Sequence, residues 1–186
     1  PAAPAVPAQQ PQNENHGSGL PFTDVAEGSW YYEGVKYAYA SSLMNGTGAN
    51  TFSPNAETTR GMIVTILARM EGQDTSGTPW YAAGQKWAMA NGISDGTNMT
   101  GKITREQLAA MLYRYAKMKG YDVSASASLS GYTDASRVSG WAKEAMQWAV
   151  GSGLIQGSNN ALTPQANASR AQIATILMRF AQNIAK

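Results

Sequence analysis

The sequence predicts an all-α fold made of three tandem helix-loop-helix repeats, and three observations carry that prediction. First, the stretches Trp30–Gly46, Trp80–Gly96 and Trp141–Gly157 match position for position, with the tryptophan and the closing glycine 16 residues apart in each. Second, each stretch is followed by a Thr-Arg or Ser-Arg pair (Thr59-Arg60, Thr104-Arg105, Ser169-Arg170) that opens a segment with apolar residues at helical spacing. Third, no alternating strand pattern of useful length interrupts the chain. Self-similarity at this period indicates an array whose units bury their apolar faces against one another.

Residues 1–19 are Pro, Ala, Gln and Asn with hardly a large apolar side chain. Such a stretch cannot bury enough surface to offset its ordering entropy, so it is expected to be a disordered linker. It implies cargo attached upstream. The chain has neither an initiator Met nor a signal peptide, as expected of a piece of a longer protein.

The first repeat spans 20–72, the second 73–130 with a trailing Ser/Ala/Gly-rich link that is expected to fray, and the third 131–186. In each, the tryptophan opens the first helix. Small residues then recur one turn apart (Gly34 and Ala38, Gly84 and Ala88, Ala145 and Ala149), a ladder that lets a neighbouring backbone approach. Gly92 and Gly153, each followed by Ile93 or Leu154, fit a left-handed helix cap, with Ser42 a weaker version. The second helices open on capping boxes at Thr104/Gln107 and Ser169/Gln172, whereas Met62 leaves half the box missing after Thr59. Ile63, Ile66, Leu67 and Met70 mark the buried face of the first such helix; Leu108, Met111, Leu112 and Tyr115, then Ile173, Ile176, Leu177 and Phe180, mark the others.

Composition narrows the function. Charged residues make up 14% of the 186, well below the usual quarter, which suits neutral, hydroxyl-rich partners such as glycans. A net charge of +2 does not argue for nucleic acid. No stretch reaches the roughly 18–20 apolar residues of a membrane span. Cysteine is absent and the sole histidine, His16, lies in the linker, which removes thiol and histidine catalysis from the repeats. No acid/base pair, nucleophile elbow or phosphate loop is evident, so neither an enzyme, a cofactor nor a metal is expected. Ser94–Asn98 has a faint calcium-loop flavour but lacks the acidic spacing and terminal Glu of an EF-hand.

Arg60, Arg105 and Arg170 are the informative oddity. At the first helical position a cation is disfavoured by about 0.3–1 kcal/mol, so three in register imply a separate purpose. A forked guanidinium beside free helix-start N–H groups would clamp a carboxylate or phosphate. The alternative is an internal ion pair to the acids ahead of each tryptophan, Asp24, Asp74 and Asp134. Arg69, Arg114 and Arg179 recur nine residues later, where a cation complements the dipole, and are read as structural. Trp30, Trp80 and Trp141 could anchor the core or stack on sugar faces. Gly46, Gly96 and Gly157 would serve a turn with positive φ or the close approach of a ligand.

Phe22-Thr23-Asp24-Val25, Trp30, Tyr37-Ala38, Gly46, Phe52-Ser53-Pro54-Asn55 and Thr59-Arg60 together resemble an S-layer homology repeat. The frame recurs as Tyr132-Thr133-Asp134, Trp141, Trp148-Ala149, Gly157, Leu162-Thr163-Pro164 and Ser169-Arg170-Ala171-Gln172. The resemblance implies a pseudo-threefold, three-pronged unit around a central three-helix bundle, with ligand grooves between prongs. It implies non-covalent anchoring of an exported protein to the bacterial cell wall, through a secondary cell-wall polysaccharide often ending in pyruvylated N-acetylmannosamine. The carboxylate of the pyruvyl ketal would meet the arginine clamp. The implied ligand-binding set is Asp24, Trp30, Gly46, Arg60, Trp80, Gly96, Arg105, Asp134, Trp141, Gly157 and Arg170. Gly72-Gln73-Asp74-Thr75 and the shorter second loop depart from the family frame, as does Gly61-Met62, so one or two dominant grooves are expected rather than three equal ones. Binding to peptidoglycan itself, or a mainly structural role in lattice assembly, are the competing readings. A binding module would be monomeric in isolation.

Overall fold

A computed structural model describes residues 19–186, so the expected linker lies, apart from Gly19, outside the described residues. Among the described residues there are six α-helices: α1 (Tyr32–Ala40), α2 (Arg60–Met70), α3 (Ala82–Ala90), α4 (Arg105–Lys119), α5 (Lys143–Gly151) and α6 (Arg170–Asn183). There are no strands among them, only isolated bridges, as the absence of alternating patterns predicts.

The short helices α1, α3 and α5 start without a side-chain cap. Trp30 and Trp80 stand two residues ahead of α1 and α3, and Trp141 sits in a 3-10 turn before α5, so the tryptophans precede the helices rather than open them. Their ends follow the predicted glycine logic. Gly92 and Gly153 take φ of +68° and +76°, and Ile93 and Leu154 donate their N–H to Ala88 and Ala149. Ser42 takes the same conformation at φ +56°, with Leu43 donating to Ala38. A side chain in that region costs about 1–2 kcal/mol that glycine avoids.

The long helices open as read. Thr59, Thr104 and Ser169 each accept a hydrogen bond from the third helical N–H, and the last two form full capping boxes with Gln107 and Gln172. Such caps contribute about 1 kcal/mol each.

Packing is cyclic. α2 lies against α3, α4 against α5, and the first helix closes onto the last, α1 against α6. Just ahead of the long helices the three strands of chain lock together. Thr58 donates its N–H to the carbonyl of Ala168, Ala168 donates to Ile103, and Ile103 donates to Thr58, at 2.9–3.0 Å. These three backbone bonds form a closed triangle. At the opposite end, Tyr115 of α4 stacks against Phe180 of α6 and donates its hydroxyl to Glu71 beyond α2. Phe52, Tyr115, Trp148 and Phe180 are the most deeply buried rings, and Leu67, Ile93, Ile103 and Leu154 are fully buried with them.

The Ser/Ala-rich link after α4 does not fray in the way its composition suggests. Leu129 is buried, Ala127 donates to the carbonyl of Gln147, and the chain at Ser126 runs so close to Gly151 that a Cβ there would fall 2.8 Å from its backbone. A single leucine and a small helix residue suffice to pin it.

The small-residue ladder works as backbone clearance. A Cβ on Gly34 would meet Cα of Thr175 at 2.6 Å, and one on Gly84 would meet Cα of Thr65 at 2.8 Å. At the corresponding positions of α5 and α4 stand Ala145 and Ala110, both buried, so the larger helix residue is matched by a smaller one on its partner helix. Gly84→Ala is therefore expected to destabilise by about 1–3 kcal/mol through overpacking, outweighing the ~1 kcal/mol gain in helix propensity. Adding Thr65→Ala should recover little of that loss in a urea melt, because the nearest atoms, Cα and N of Thr65 at 2.8 Å, are backbone, and Gly131→Ala, whose Cβ would meet nothing within 4 Å, should leave the midpoint unchanged.

Candidate functional site

The start of each long helix has its N–H groups in use. The N–H of Arg60 and Gly61 donate to the carbonyls of Gly101 and Met99; those of Arg105 and Glu106 donate to Ala166 and Pro164; those of Arg170 and Ala171 donate to Ala56 and Pro54. The third N–H of each helix goes to the cap side chain. A ligand anion thus finds no free helix-start donors, contrary to the sequence expectation. Loop carbonyls take their place, as buried backbone groups require.

The arginine side chains act on the same loops. Arg170 donates from Nε to the carbonyl of Phe52 at 2.7 Å and from Nη2 to that of Asn45. Arg105 donates from Nε to Leu162 at 2.9 Å and from Nη2 to Gln156 at 3.3 Å. Arg60 donates from Nε to Thr97 at 3.0 Å, and its Nη2 meets Ser94 and the carboxylate of Asp95 at 3.0 Å. Burial lowers the pKa of Arg105, and that of Arg170 to about 10, although Asp134 and Asp24 respectively oppose the shift. In all three, Nη1 has no protein acceptor among the described residues. The guanidinium spends one edge on the loop and keeps the other.

Asp24 and Asp134 hold the loops from the other side. Asp24 accepts the N–H of Phe52 and Ser53, both at 2.8 Å, and Asp134 accepts those of Leu162 and Thr163 at 2.8 and 2.7 Å. The expected ion pairs are therefore not direct: aspartate and arginine grip the N–H and C=O of one residue between them. Asp74 only turns back onto Ser76. The grip explains a local strain that the sequence does not show. Ser53, Asn98 and Thr163 all have positive φ (+56°, +51° and +46°), unfavourable for serine and more so for a β-branched threonine. In the middle loop, which Asp74 does not grip, the residue is asparagine, the side chain that tolerates this region best.

Only Gly96 of the three loop glycines has positive φ, at +76°. Gly46 and Gly157 are required for a different reason: a Cβ would fall 2.6 Å from the ring of Phe22 or 2.5 Å from that of Tyr132. The tryptophans do not anchor the core. Trp30 and Trp141 are 64% and 58% exposed, Trp30 edge-on to Tyr31, and Trp80 is half-buried, resting where α2 begins. There Gly61 leaves room, since a Cβ would come within 3.2 Å of the indole. This accounts for glycine at a position where the family frame has alanine.

Two clefts result. One, of about 200 Å3, lies between the loop at Leu43–Thr47 and α2, and is bordered by Met62, Ile66, Arg69 and Arg170. The other, of about 400 Å3, lies between the loop at Asp95–Asn98 and α4, with Arg60, Gln107, Arg114 and Trp141 around it. The late-helix arginines read as purely structural do fasten the helix ends: Arg69, Arg114 and Arg179 donate to the carbonyls of Leu43, Ile93 and Leu154. Two of them also line the clefts. Nine residues turn a helix by about half a revolution, so the two arginines of one helix face opposite ways, and each cleft pairs arginines from different helices, which spacing along one helix does not reveal. Ser94–Asn98 holds no acidic cluster fit for a metal; Asp95 accepts from Thr97 and Arg60 instead.

Acid should reveal the aspartate grip. The backbone N–H groups of Leu162 and Thr163 hold the Asp134 carboxyl below its ordinary value of 3.8. Its contribution to stability is fully present above that value and is lost as pH falls through the lower, folded-state value. Urea midpoints should accordingly be flat above about pH 5 and fall below about pH 4. Asp134→Asn should be less stable at neutral pH and show a shallower acid slope.

The comparisons with known proteins agree with an all-helical fold. The family model described as "S-layer homology domain" matches residues 21–61 and 131–174. The chain is 29% identical over 187 aligned residues to an endoglucanase of Bacillus sp. (strain KSM-635), covering 93% of this chain and 20% of that protein. It is 26% identical to the surface-layer 125 kDa protein of Lysinibacillus sphaericus, covering 82% of this chain and 14% of that protein. It is 22% identical to the S-layer protein sap of Bacillus anthracis, covering 87% and 21%. The chain thus spans roughly a fifth or less of the length of these relatives, and the shared part is common to an enzyme and to surface-layer proteins. No described helix is long and apolar enough to cross a membrane. The chain carries S-layer homology sequence over residues 21–61 and 131–174, a module whose place is the bacterial cell surface and whose general task is cell-wall anchoring.

Proposed function

We propose that the chain is a non-enzymatic, monomeric module of three repeats (20–72, 73–130 and 131–186) that holds an upstream cargo to the wall by binding a secondary cell-wall polysaccharide ending in pyruvylated N-acetylmannosamine. The observation that carries this reading is the pairing of arginines in each cleft, Arg170 with Arg69 and Arg60 with Arg114, where the helix-start guanidinium keeps Nη1 without a protein acceptor. Two guanidinium groups converging on a cleft suit a single carboxylate, and a charge-assisted fork is worth about 1.5–3 kcal/mol.

The clefts are unequal. The smaller is walled by Leu43, Met44, Met62 and Ile66; the larger by Asp95, Asn98 and Gln107, with Trp141 exposed at its side. A polyhydroxylated ring fits the second better. There Arg114 spends only Nη1 on the protein, leaving Nε and Nη2 for the carboxylate while Asp95 occupies part of Arg60. The Arg60–Arg114 cleft is the tighter saccharide site in this reading, and Trp30, Trp80, Gly46, Gly96 and Gly157 shape the walls of their own grooves. Asp24 and Asp134 serve binding through the loops they hold.

Calorimetric titration with a pyruvylated terminal disaccharide and its non-pyruvylated twin tests this. Binding should need the pyruvate, show one or two sites, and weaken about 10–100-fold in Arg114→Gln and Arg60→Lys, with folding checked by thermal melting. Three equivalent sites, or equal binding of both sugars, would overturn the clamp. Retention on wall stripped of secondary polymer would point to peptidoglycan, and concentration-dependent self-association to lattice assembly.

A further inference from the structure

Glu106 has a task that the repeat pattern does not prescribe. It occupies the second position of α4, where α2 has Gly61 and α6 has Ala171. Its carboxylate is buried, at 4% exposure, yet makes no ion pair. Both oxygens go to one residue across the repeat boundary: Oε2 accepts the N–H of Ser139 at 2.9 Å and Oε1 accepts the Ser139 hydroxyl at 2.7 Å. A buried carboxylate is costly to desolvate, so two short bonds to a single turn residue indicate that the turn must be held. Ser139 in turn accepts the N–H of Ala142 at 2.9 Å, closing the 3-10 turn Gly140–Ala142 that carries Trp141. Trp141 is the tryptophan that borders the Arg60–Arg114 cleft, and it stands largely in solvent. The contrast with the equivalent place on α2 is instructive. Gly61 has no side chain, and Trp80 sinks onto the helix start there.

We propose that Glu106 is a positioning residue: it fixes Ser139 so that Trp141 stands as a wall of the Arg60–Arg114 cleft, where the indole face stacks on a sugar ring. This inference rests on the saccharide reading of that cleft. A sugar gains from an indole only if the plane is already oriented, because an indole free to rotate would lose that freedom on binding. At the second helical position, then, glycine lets the overlying tryptophan settle onto the helix start, and Glu106 ties down the turn that carries Trp141.

The test uses the whole chain and the pyruvylated disaccharide. Glu106→Ala should weaken binding about fivefold, and Ser139→Ala, which removes only the hydroxyl bond, should weaken it less. Glu106→Gln, which can still accept from Ser139, should restore part of the affinity. The decisive comparison is in a Trp141→Ala background, where Glu106→Ala should change affinity no further; a loss of the same size there would mean that Glu106 acts through general stability, and would overturn the proposal. A parallel fluorine NMR readout with 5-fluorotryptophan is independent of ligand. Glu106→Ala should shift or broaden the Trp141 resonance and leave that of Trp30 in place. If the disaccharide does not bind the unmodified chain, the saccharide reading fails while the NMR arm still decides the brace; an unmoved Trp141 resonance would overturn the brace whatever the ligand result.

Discussion

The structure depends on how the starts of three helices satisfy their backbone. Every α-helix leaves its first N–H groups without internal partners, and here those of α2, α4 and α6 are buried where the units meet. Water cannot serve them, so carbonyls of a neighbouring loop must. Arg60 and Gly61 reach the loop at 99–101, Arg105 and Glu106 the loop at 164–166, Arg170 and Ala171 the loop at 54–56. Because each helix draws on a different loop, the debt runs in a circle, and the Thr58–Ala168–Ile103 triangle closes it. No unit is complete alone. The pairing of α1 with α6 follows from the same closure: α3 and α5 pack on the long helix that precedes them, and α1, with no long helix before it among the described residues, takes the last one.

The arginines extend this constraint to the side-chain level. A cation at a helix start opposes the dipole, but the dipole is already capped by loop carbonyls, and the guanidinium reaches other carbonyls nearby, those of Thr97, Leu162 and Phe52. Arg170 and Asp24 illustrate the economy of the arrangement. They lie on opposite sides of Phe52, one holding its C=O and the other its N–H, so opposite charges support each other through a peptide rather than by touching. The loop they hold adopts a left-handed residue that would otherwise relax. Rigid loops around a cleft, with one guanidinium edge left over, are what a surface module needs if its binding must withstand load with little reordering.

Much of this was legible in the chain itself. The left-handed caps at Gly92 and Gly153, the boxes at Thr104 and Ser169, and the clearance at Gly34 and Gly84 follow from local chemistry, in which residue type and spacing carry the information. What was not legible is pairwise and non-local. Nothing in Gly46 or Gly157 says that a ring from Phe22 or Tyr132 lies across them rather than that φ is positive, because both needs select glycine. Nor could recurrence alone reveal that the arginines meet carbonyl oxygens, since backbone acceptors leave no trace in residue type. The tryptophans were ambiguous for a related reason: an indole suits a core and a platform equally, and only the helix start beneath it decides.

That last dependence shows how a repeat can keep its fold while its sites diverge. The triangle, the caps and the arginine grips involve backbone or residues common to all three copies, and they leave little freedom. The second helical position is different, since it carries Gly61, Glu106 and Ala171 without disturbing the N–H bonds that its own backbone makes to Met99, Pro164 and Pro54. The position faces the approach to the next tryptophan in two of the copies, Trp80 beside Gly61 and the turn before Trp141 beside Glu106. A change there alters the lining of a cleft and leaves the closed circle intact. Asp95 and Asn45 vary in the same way, at equivalent places beside Arg60 and Arg170: one supplies a carboxylate, the other only a backbone carbonyl. Variation confined to such positions lets one scaffold carry grooves of different chemistry, which is the physical reason to expect unequal sites from three similar repeats.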